Sequence, residues 1–556
     1  MKRTMALLTA LSLLLGASAL AAREDPYAVG IRVNQVGYRP DAVKIAVFAD
    51  IGADGEAFTV VDAESGEAVY EGTLSDAVEN PWAGETDRAA DFSALDAPGT
   101  YRLVSADGHE SPAFAVGEDV YADLLRGAAR MLYFQRCGVE TAPAIADVWA
   151  HPACHTALAT VYGADEQIDV SGGWHDAGDY GRYVVSGAKA AADLMLAHAV
   201  RGDVLDDVGI PESGDGLDDL LQEARVELDW MLKMQAPSGG VYHKVSCASF
   251  PGNIPPQRET DGLIVCPVSN AATGDFAAAM AMASRLCADD WPEDAEGYLR
   301  AARRAWDYLS EHEGEPGFRN PQGIDTGEYP DDDDSDERFW AAAELARATG
   351  EAGYREAASK LLATGGRRYG MGWQDVGIYG LLALLGDDAL SADDPVRQAA
   401  RSELDAIVRA ALDGIPANPY GADRADAYEW GSNMGVANTA ALLMLAGRLG
   451  DEACREAAQQ PLDYLLGRNA TAYCFVTAAG ERSPAHPHHR PSVAVHRVMP
   501  GMLVGGPNSG LQDPCAASVL KGKPPAKCYI DNSQSYSTNE VSIYWNSPLV
   551  LLLAGL

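Results

Sequence analysis

The chain has 556 residues, a formal net charge of −39 and 47% hydrophobic residues, with a sequence pI near 4.5. That balance repels nucleic-acid phosphates and anionic lipid, and it suits a neutral substrate or a bound calcium ion. The length allows roughly two to four domains with large cores, while nine cysteines are too few for a disulfide scaffold and odd in number.

The chain opens with Lys2 and Arg3, an apolar run from Met5 to Leu15 and the small-residue stretch Ala19-Leu20-Ala21. This is the layout of a secretory signal peptide over residues 1–21, and it predicts export to the periplasm or beyond. No later run is long and charge-free enough to span a bilayer. The apolar end from Pro548 to Leu556 reads as core.

Residues 22–118 are strand-like. Alternation in Ile31–Val36 and β-rich runs at 44–48, 58–61, 100–104 and 113–116 are punctuated by Gly, Asp and Pro. Short strands at this spacing predict an antiparallel β-sandwich. From 119 to 556 the apolar period becomes helical. Twelve helices are expected, starting near Val120, Tyr183, Gly216, Ala271, Gly297, Asp336, Gly353, Asp375, Asp394, Asn433, Glu452 and Asn539. Twelve in one run fit an all-α (α/α)6 toroid of six hairpins. Its longest loops, 139–182, 236–270 and 468–538, would gather function at one end.

Three segments carry chemistry. In GGWHDAGDYGRY, residues 172–183, Asp176 and Asp179 stand three apart beside Trp174 and Tyr180. Such a pair can hold one water and take its proton; a calcium loop or solvated turn is the plainer alternative. In YIDNSQSYSTNEVSIYWNS, residues 529–547, Glu540 is expected at the mouth of the last helix behind Ser537, Thr538 and Asn539. Aromatic enclosure would keep its carboxyl protonated, as a general acid requires; a helix-start Glu is otherwise a capping residue. In HPHHRPS, residues 486–492, His488 and Arg490 could bind sugar hydroxyls. Arg490 argues against a cation there. An acid and a base together are what glycosidic hydrolysis needs, and Trp430 and Tyr536 offer aromatic surfaces for a sugar.

The sequence resembles glycoside hydrolase family 9, the cellulase family of (α/α)6 barrels, in its subgroup with an N-terminal immunoglobulin-like domain. IRVNQVGYRP is similar to the start of that domain and DVSGGWHDAGDYGRYV to the catalytic-base segment. CFVTAAGERSPAHPHHR is similar to the histidine signature, with Cys474 where Ser, Thr or Val is expected. YIDNSQSYSTNEVSIYWNS is similar to the second signature throughout. The resemblance implies Asp179 as general base, Asp176 as its partner and Glu540 as general acid. It implies His488 and Arg490 as substrate-binding residues and Asp531 as a supporting member of the catalytic set. It also implies inversion, with base and acid roughly 6.5–9.5 Å apart.

The subgroup's structural zinc would be held here by Cys137, Cys154, His155 and His175. His243 is the rival fourth ligand, and a Cys137–Cys154 disulfide is the alternative to a metal. The acidic run DDDDSDE resembles the family's calcium loop, with Asp332, Asp336, Glu337 and Asp375 as ligands, though such a run is also an ordinary solvated loop. Disulfides between Cys515 and Cys528 and between Cys247 and Cys266 are open possibilities. No organic cofactor and a monomer are expected. The leading expectation is a secreted endo-acting β-1,4-glucanase on cellulose or mixed-linkage glucan. The rivals are an exo-acting member releasing cellobiose, glucose or glucosamine, and a non-catalytic glycan-binding protein.

Overall fold

The structure, a computed structural model, describes residues 30–364, 370–423 and 427–556. The expected signal peptide lies outside the described residues. Two sheets form the N-terminal sandwich. One has four strands in the order Ile31–Arg32, Ile45–Ala49, Glu85–Asp91, Val78–Asn80. The other has five, in the order Gly37–Tyr38, Phe114–Val116, Gly99–Ser105, Ala57–Asp62, Ala68–Thr73. Inward residues of both sheets share one core, where Tyr38 meets Phe92 and Phe114 edge-on. Three strands, at 68–73, 78–80 and 85–91, escape the sequence reading. Their apolar alternation is diluted by Glu, Asp, Arg and Thr on the wet face.

From Ala122 onward, outer and inner helices alternate. The inner set is Val184–Arg201, Asn270–Leu286, Ser335–Thr349, Gly377–Leu385, Ser432–Arg448 and Ile543–Gly555. The first five each pack against an outer helix next to them in sequence, and Ile543–Gly555 packs on Ala122–Phe134 and Val184–Arg201, joining the last hairpin to the first. This is the (α/α)6 toroid. Inner helices are buried nearly all round, as a helix apolar on every face must be. Their alanines, dense in the helix over 270–286, let the backbones approach closely. The polar exceptions pair up: Lys189 donates to Asp193, and Tyr379 and Ser547 donate to the same carboxylate.

Nine of the twelve expected helix starts lie within two residues of the observed ones. The largest misses are Pro292, where proline opens the helix at its first position, and Ile543 in place of Asn539. The long loops are not structureless. Segments of 139–182 and 236–270 build a five-stranded sheet in the order Gln167–Ile168, Ala159–Val161, Ile264–Val265, Lys244–Ser246, Arg182–Tyr183. That sheet ties the segment after the aspartate pair to the rest of the active end.

Asn34 and Gln35 join sandwich to toroid. Asn34 donates to Asp463 at 2.9 Å, and Gln35 reaches the carbonyls of Leu466 and Ala472. All nine cysteines are free thiols. Cys247 and Cys266 lie out of register in the hairpin that pairs Ser246 with Ile264, so they cannot bridge. The Cys528 thiol donates to the carbonyls of Lys523 and Pro524 rather than joining Cys515. No helix among the described residues is long and apolar enough to cross a membrane.

Candidate active site

The loop bearing Asp176 and Asp179 is bent by Gly173, whose φ of +74° and contact with Trp230 exclude a side chain. Its backbone is then clamped from three sides. His175 N–H donates to Gln135 O at 2.7 Å, and Gln135 Nε2 returns bonds to His175 O and Ala177 O at 3.0 Å. Ile543 N–H, at the start of the last inner helix, donates to Asp176 O at 2.8 Å. Gly178 presses against His488 so closely that a Cβ would lie 2.3 Å from its carbonyl oxygen.

Glu540 does not start the last helix. It follows a buried single turn, Tyr536–Asn539, and its own backbone is extended, with the helix capped later at Ser542. A parallel bridge pairs it with His488, and its carbonyl accepts from Gly505 N–H at 2.9 Å. A bridge on both sides aims the carboxyl more rigidly than a helix cap would.

These segments line one cleft of about 820 Å³, which includes Asp176, Asp179, Glu540, His488, Arg490, Trp430 and Tyr536. Asp176 is buried and accepts from the Ser186 and Tyr329 hydroxyls. Asp179 Oδ2 accepts from Gly181 N–H at 3.1 Å and the Tyr183 hydroxyl at 3.3 Å. Burial raises both aspartates above the carboxylate range. The Arg490 guanidinium pulls Asp179 back, whereas the charge of Asp179 adds to burial and pushes Asp176 up to about 7. Burial, reinforced by the charges of Asp179 and Asp176, lifts Glu540 well above its usual value. Burial thus favours the protonated form of Glu540, while Arg490 favours the ionised form of Asp179.

His488 Nδ1 donates to Ser533 O at 2.7 Å, and burial lowers its pKa. The neutral ring then leaves Nε2 as an acceptor for a hydroxyl. Arg490 is anchored on Gly178 O at 2.8 Å and Pro251 O at 3.0 Å. Trp430 is 41% exposed and lies 5.4 Å from the Tyr536 ring, so the pair presents an open aromatic surface.

Asp531 does not line the cleft. Its oxygens accept from Ala485 and His486 N–H at 2.8 Å and from Asn539 Nδ2 at 3.1 Å. It ties the histidine loop to the residue before Glu540. The structure adds Tyr183, Phe250, Glu328, Tyr329, Trp373 and Tyr544 to the cleft wall. Tyr183 and Tyr544 fall inside the quoted motifs. Tyr329 carries no local signal; its strained φ of +50° arises only in three dimensions.

Behind the aspartate loop, Cys137, Cys154, His155 and His175 form a buried group able to hold a metal ion, with ligand atoms all within 4.8 Å of one another. The sulfurs are 3.9 Å apart and unbonded. His243 is elsewhere: it stacks on Phe318 and bonds Ser269 and Glu328 O. The acidic run divides. Asp332 is exposed and paired with Arg319 at 2.6 Å, so it stands apart from the buried group. Asp336 and Glu337 are buried, with Asp336 Oδ1 and both Glu337 oxygens lacking partners. Asp275 joins them, its two oxygens equally unpartnered, and Asp375 is only half-buried.

Comparison with known proteins agrees with this architecture. A family model for glycosyl hydrolase family 9 matches residues 121–553, and one for the cellulase N-terminal Ig-like domain matches residues 27–111. A cellodextrinase of Butyrivibrio fibrisolvens is 36% identical over 95% of this chain and 99% of its own. A thermostable endoglucanase from Alicyclobacillus acidocaldarius, solved as a single mutant, superposes with a TM-score of 0.87 at 38% identity, covering 95% of this chain and 99% of that one. The Zn-binding triple mutant of the family 9 endoglucanase J30 gives the same TM-score and identity over 93% and 99% of the two chains. With a carboxyl pair and a buried glutamic acid in one aromatic cleft, on a toroid behind an Ig-like sandwich, the chain is a glycoside hydrolase and belongs to glycosyl hydrolase family 9.

Proposed function

We propose that this enzyme is an exported, inverting β-1,4-glucanase acting on cellulose or mixed-linkage glucan. The observation that carries the reading is the placement of Asp179, which Arg490 biases toward ionisation, and Glu540, which burial biases toward protonation, in one aromatic-walled cleft. Asp179 takes a proton from a water that Asp176 helps to hold, and that water attacks the anomeric carbon. Glu540 gives its proton to the leaving oxygen in the same displacement, and the product anomer is inverted. His488 and Arg490 orient hydroxyls beside the cleaved bond, and Trp430 with Tyr536 carries a neighbouring sugar face. Among the described residues the cleft lining holds no lysine and one arginine, which supports an uncharged glycan.

Proton NMR of the first products from a β-1,4-linked oligomer is expected to show the α anomer. First-formed β product would end the inverting mechanism and the role of Asp179 with it. Viscosity against new reducing ends on carboxymethyl cellulose separates endo action, with a steep viscosity fall per end released, from exo action.

The buried Cys–His group supports zinc. Tetrahedral Zn–S and Zn–N bonds of about 2.3 and 2.0–2.1 Å require S···S near ~3.8 Å, S···N near ~3.6 Å and N···N near ~3.3 Å. The separations are 3.9 Å, 3.6 Å twice and 3.4 Å. His155 Nε2 is 2.9 Å from Glu259, the carboxylate partner that a metal-bound imidazole usually has. Zinc there would stiffen the loop that carries both aspartates. Metal analysis is expected to find one zinc per chain in the parent and none in Cys154→Ala, with a lower Tm and a loss of kcat. Parent-level metal content in the variant would refute the site. Calcium fits Asp336, Glu337 and Asp275, whose buried unpartnered oxygens are costly unless a hard cation or protons neutralise them.

A further inference from the structure

One buried cation takes no part in the chemistry above. Lys244 lies in the strand Lys244–Ser246, directly opposite Tyr183 in the antiparallel pairing with Arg182–Tyr183. It is fully buried. A buried ammonium ordinarily has a carboxylate against it, because leaving one unpaired is expensive. Here Nζ donates instead to neutral acceptors: Thr326 Oγ1 at 3.0 Å, Thr326 O at 3.3 Å and Gly327 O. It also lies 5.4 Å from the centre of the Tyr183 ring. The anions that bear on it from further away are Asp179, Glu328 and, if deprotonated, Cys266.

Each of those neutral contacts leads to the aspartate pair. Tyr183 donates its hydroxyl to Asp179, and Thr326 bears on the same hydroxyl. The carbonyls of Thr326 and Gly327 begin the segment that ends in Tyr329, whose hydroxyl donates to Asp176 and whose backbone is held in the left-handed region. Gly327 passes close to the Tyr183 ring, since a Cβ there would stand 3.1 Å from the Tyr183 hydroxyl. One ammonium therefore braces the donors of both aspartates.

We propose that Lys244 is a positioning residue for the water-activating pair: it locks Tyr183 and the 326–329 segment in place, and its charge, unpaired by any adjacent carboxylate among the described residues, helps keep Asp179 ionised. Burial lowers Lys244 to about 8, so it remains a cation through the neutral range. The other groups that set the charge of Asp179 are Arg490, which favours ionisation, and Glu259, Asp176 and Glu540, which oppose it when ionised. Arg490 acts from the cleft side and Lys244 from behind Tyr183, so their effects are separable.

The test is a pH profile of kcat/KM on a soluble cello-oligomer for three variants of the full chain with its metals bound. Lys244→Met keeps length and loses charge. It is expected to lower kcat about tenfold or more, to leave KM within about threefold, and to move the acid limb to higher pH, because Asp179 loses a cation. Lys244→Arg is expected to lose some kcat but to keep the acid limb of the parent. Thr326→Val, which removes one acceptor and no charge, is expected to lower kcat with the acid limb unmoved. An acid limb in Lys244→Met that coincides with the parent's overturns the proposal, whatever the loss in rate. If Lys244→Met does not fold, Thr326→Val and Tyr183→Phe decide: parent-like kcat in both overturns it, and a kcat loss at constant KM in both upholds it. The inference rests on Asp179 as base, and Asp179→Asn run alongside separates the two. Full activity there removes the base assignment, whereas an inactive Asp179→Asn beside a parent-like Lys244→Met removes only the role of Lys244.

Discussion

Glu540→Gln is expected to lower kcat on an unactivated β-glucan by roughly 10³–10⁴-fold while KM stays near the parent value. The amide is nearly isosteric, so the bridge to His488 and the bond from Gly505 N–H, both made by the backbone, persist. What is lost is one proton at the leaving oxygen. Two accompanying results identify that proton. A cellobioside with a good aryl leaving group needs little protonation, so it should lose far less rate than cellulose does. The alkaline limb of kcat/KM should vanish, because that limb reports the deprotonation of Glu540, and burial with two neighbouring aspartates places it well above the usual carboxylate range. Parent-like turnover of cello-oligomers by this variant would rule out Glu540 as the acid.

Asp179→Asn is expected to cost about as much, roughly 10³-fold or more in kcat, again with little change in KM. It should carry a second signature of opposite sign to the first. The charge of Asp179 raises both Asp176 and Glu540, so removing it lets the acid lose its proton more easily. The alkaline limb of the residual activity should therefore move to lower pH. A variant that only damaged the loop would lower the rate without moving that limb. Residual activity with an unmoved limb would mean that Asp179 and Glu540 are too far apart to share a reaction centre.

Much of the fold was legible because periodicity is local. The change from strand to helix period falls between the last sandwich strand, Phe114–Val116, and the first helix, Ala122–Phe134. Twelve helical stretches could be counted without knowing what they touch. The misses share one cause. Strands 68–73, 78–80 and 85–91, and the small sheet built from the long loops, are short and mostly polar on their wet faces. Strands 68–73 and 78–80 pair with their sequence neighbours 57–62 and 85–91, whereas the small sheet is held by partners distant in sequence, as Lys244–Ser246 is held between Arg182–Tyr183 and Ile264–Val265.

The site divides in the same way. Glu540 was legible as a residue but not as a geometry. A helix-start position and a bridged, extended one look alike in STNEVS, and only the pairing with His488 tells them apart. The fourth ligand of the Cys–His group was open between His175 and His243 for the same reason, since each follows a plausible loop. In the structure His175 lies in the buried group with Cys137, Cys154 and His155, while His243 stacks on Phe318. Asp332 looked as good a calcium ligand as Asp336 because both are aspartates in one run. Burial separated them.

By itself, the order of residues determined the two domains, the identity of the carboxylates, cysteines and histidines, and the turns that glycine permits at 173 and 178. These follow from side-chain chemistry and from backbone freedom over a few neighbours. Tertiary structure alone decided that Arg490 favours ionisation of Asp179, that burial favours the protonated form of a glutamic acid hundreds of residues away, and that Tyr183, Tyr329 and Lys244 stand behind the pair. Ionisation depends on burial and on charges brought near through space, and neither quantity exists until the chain has closed around the cleft.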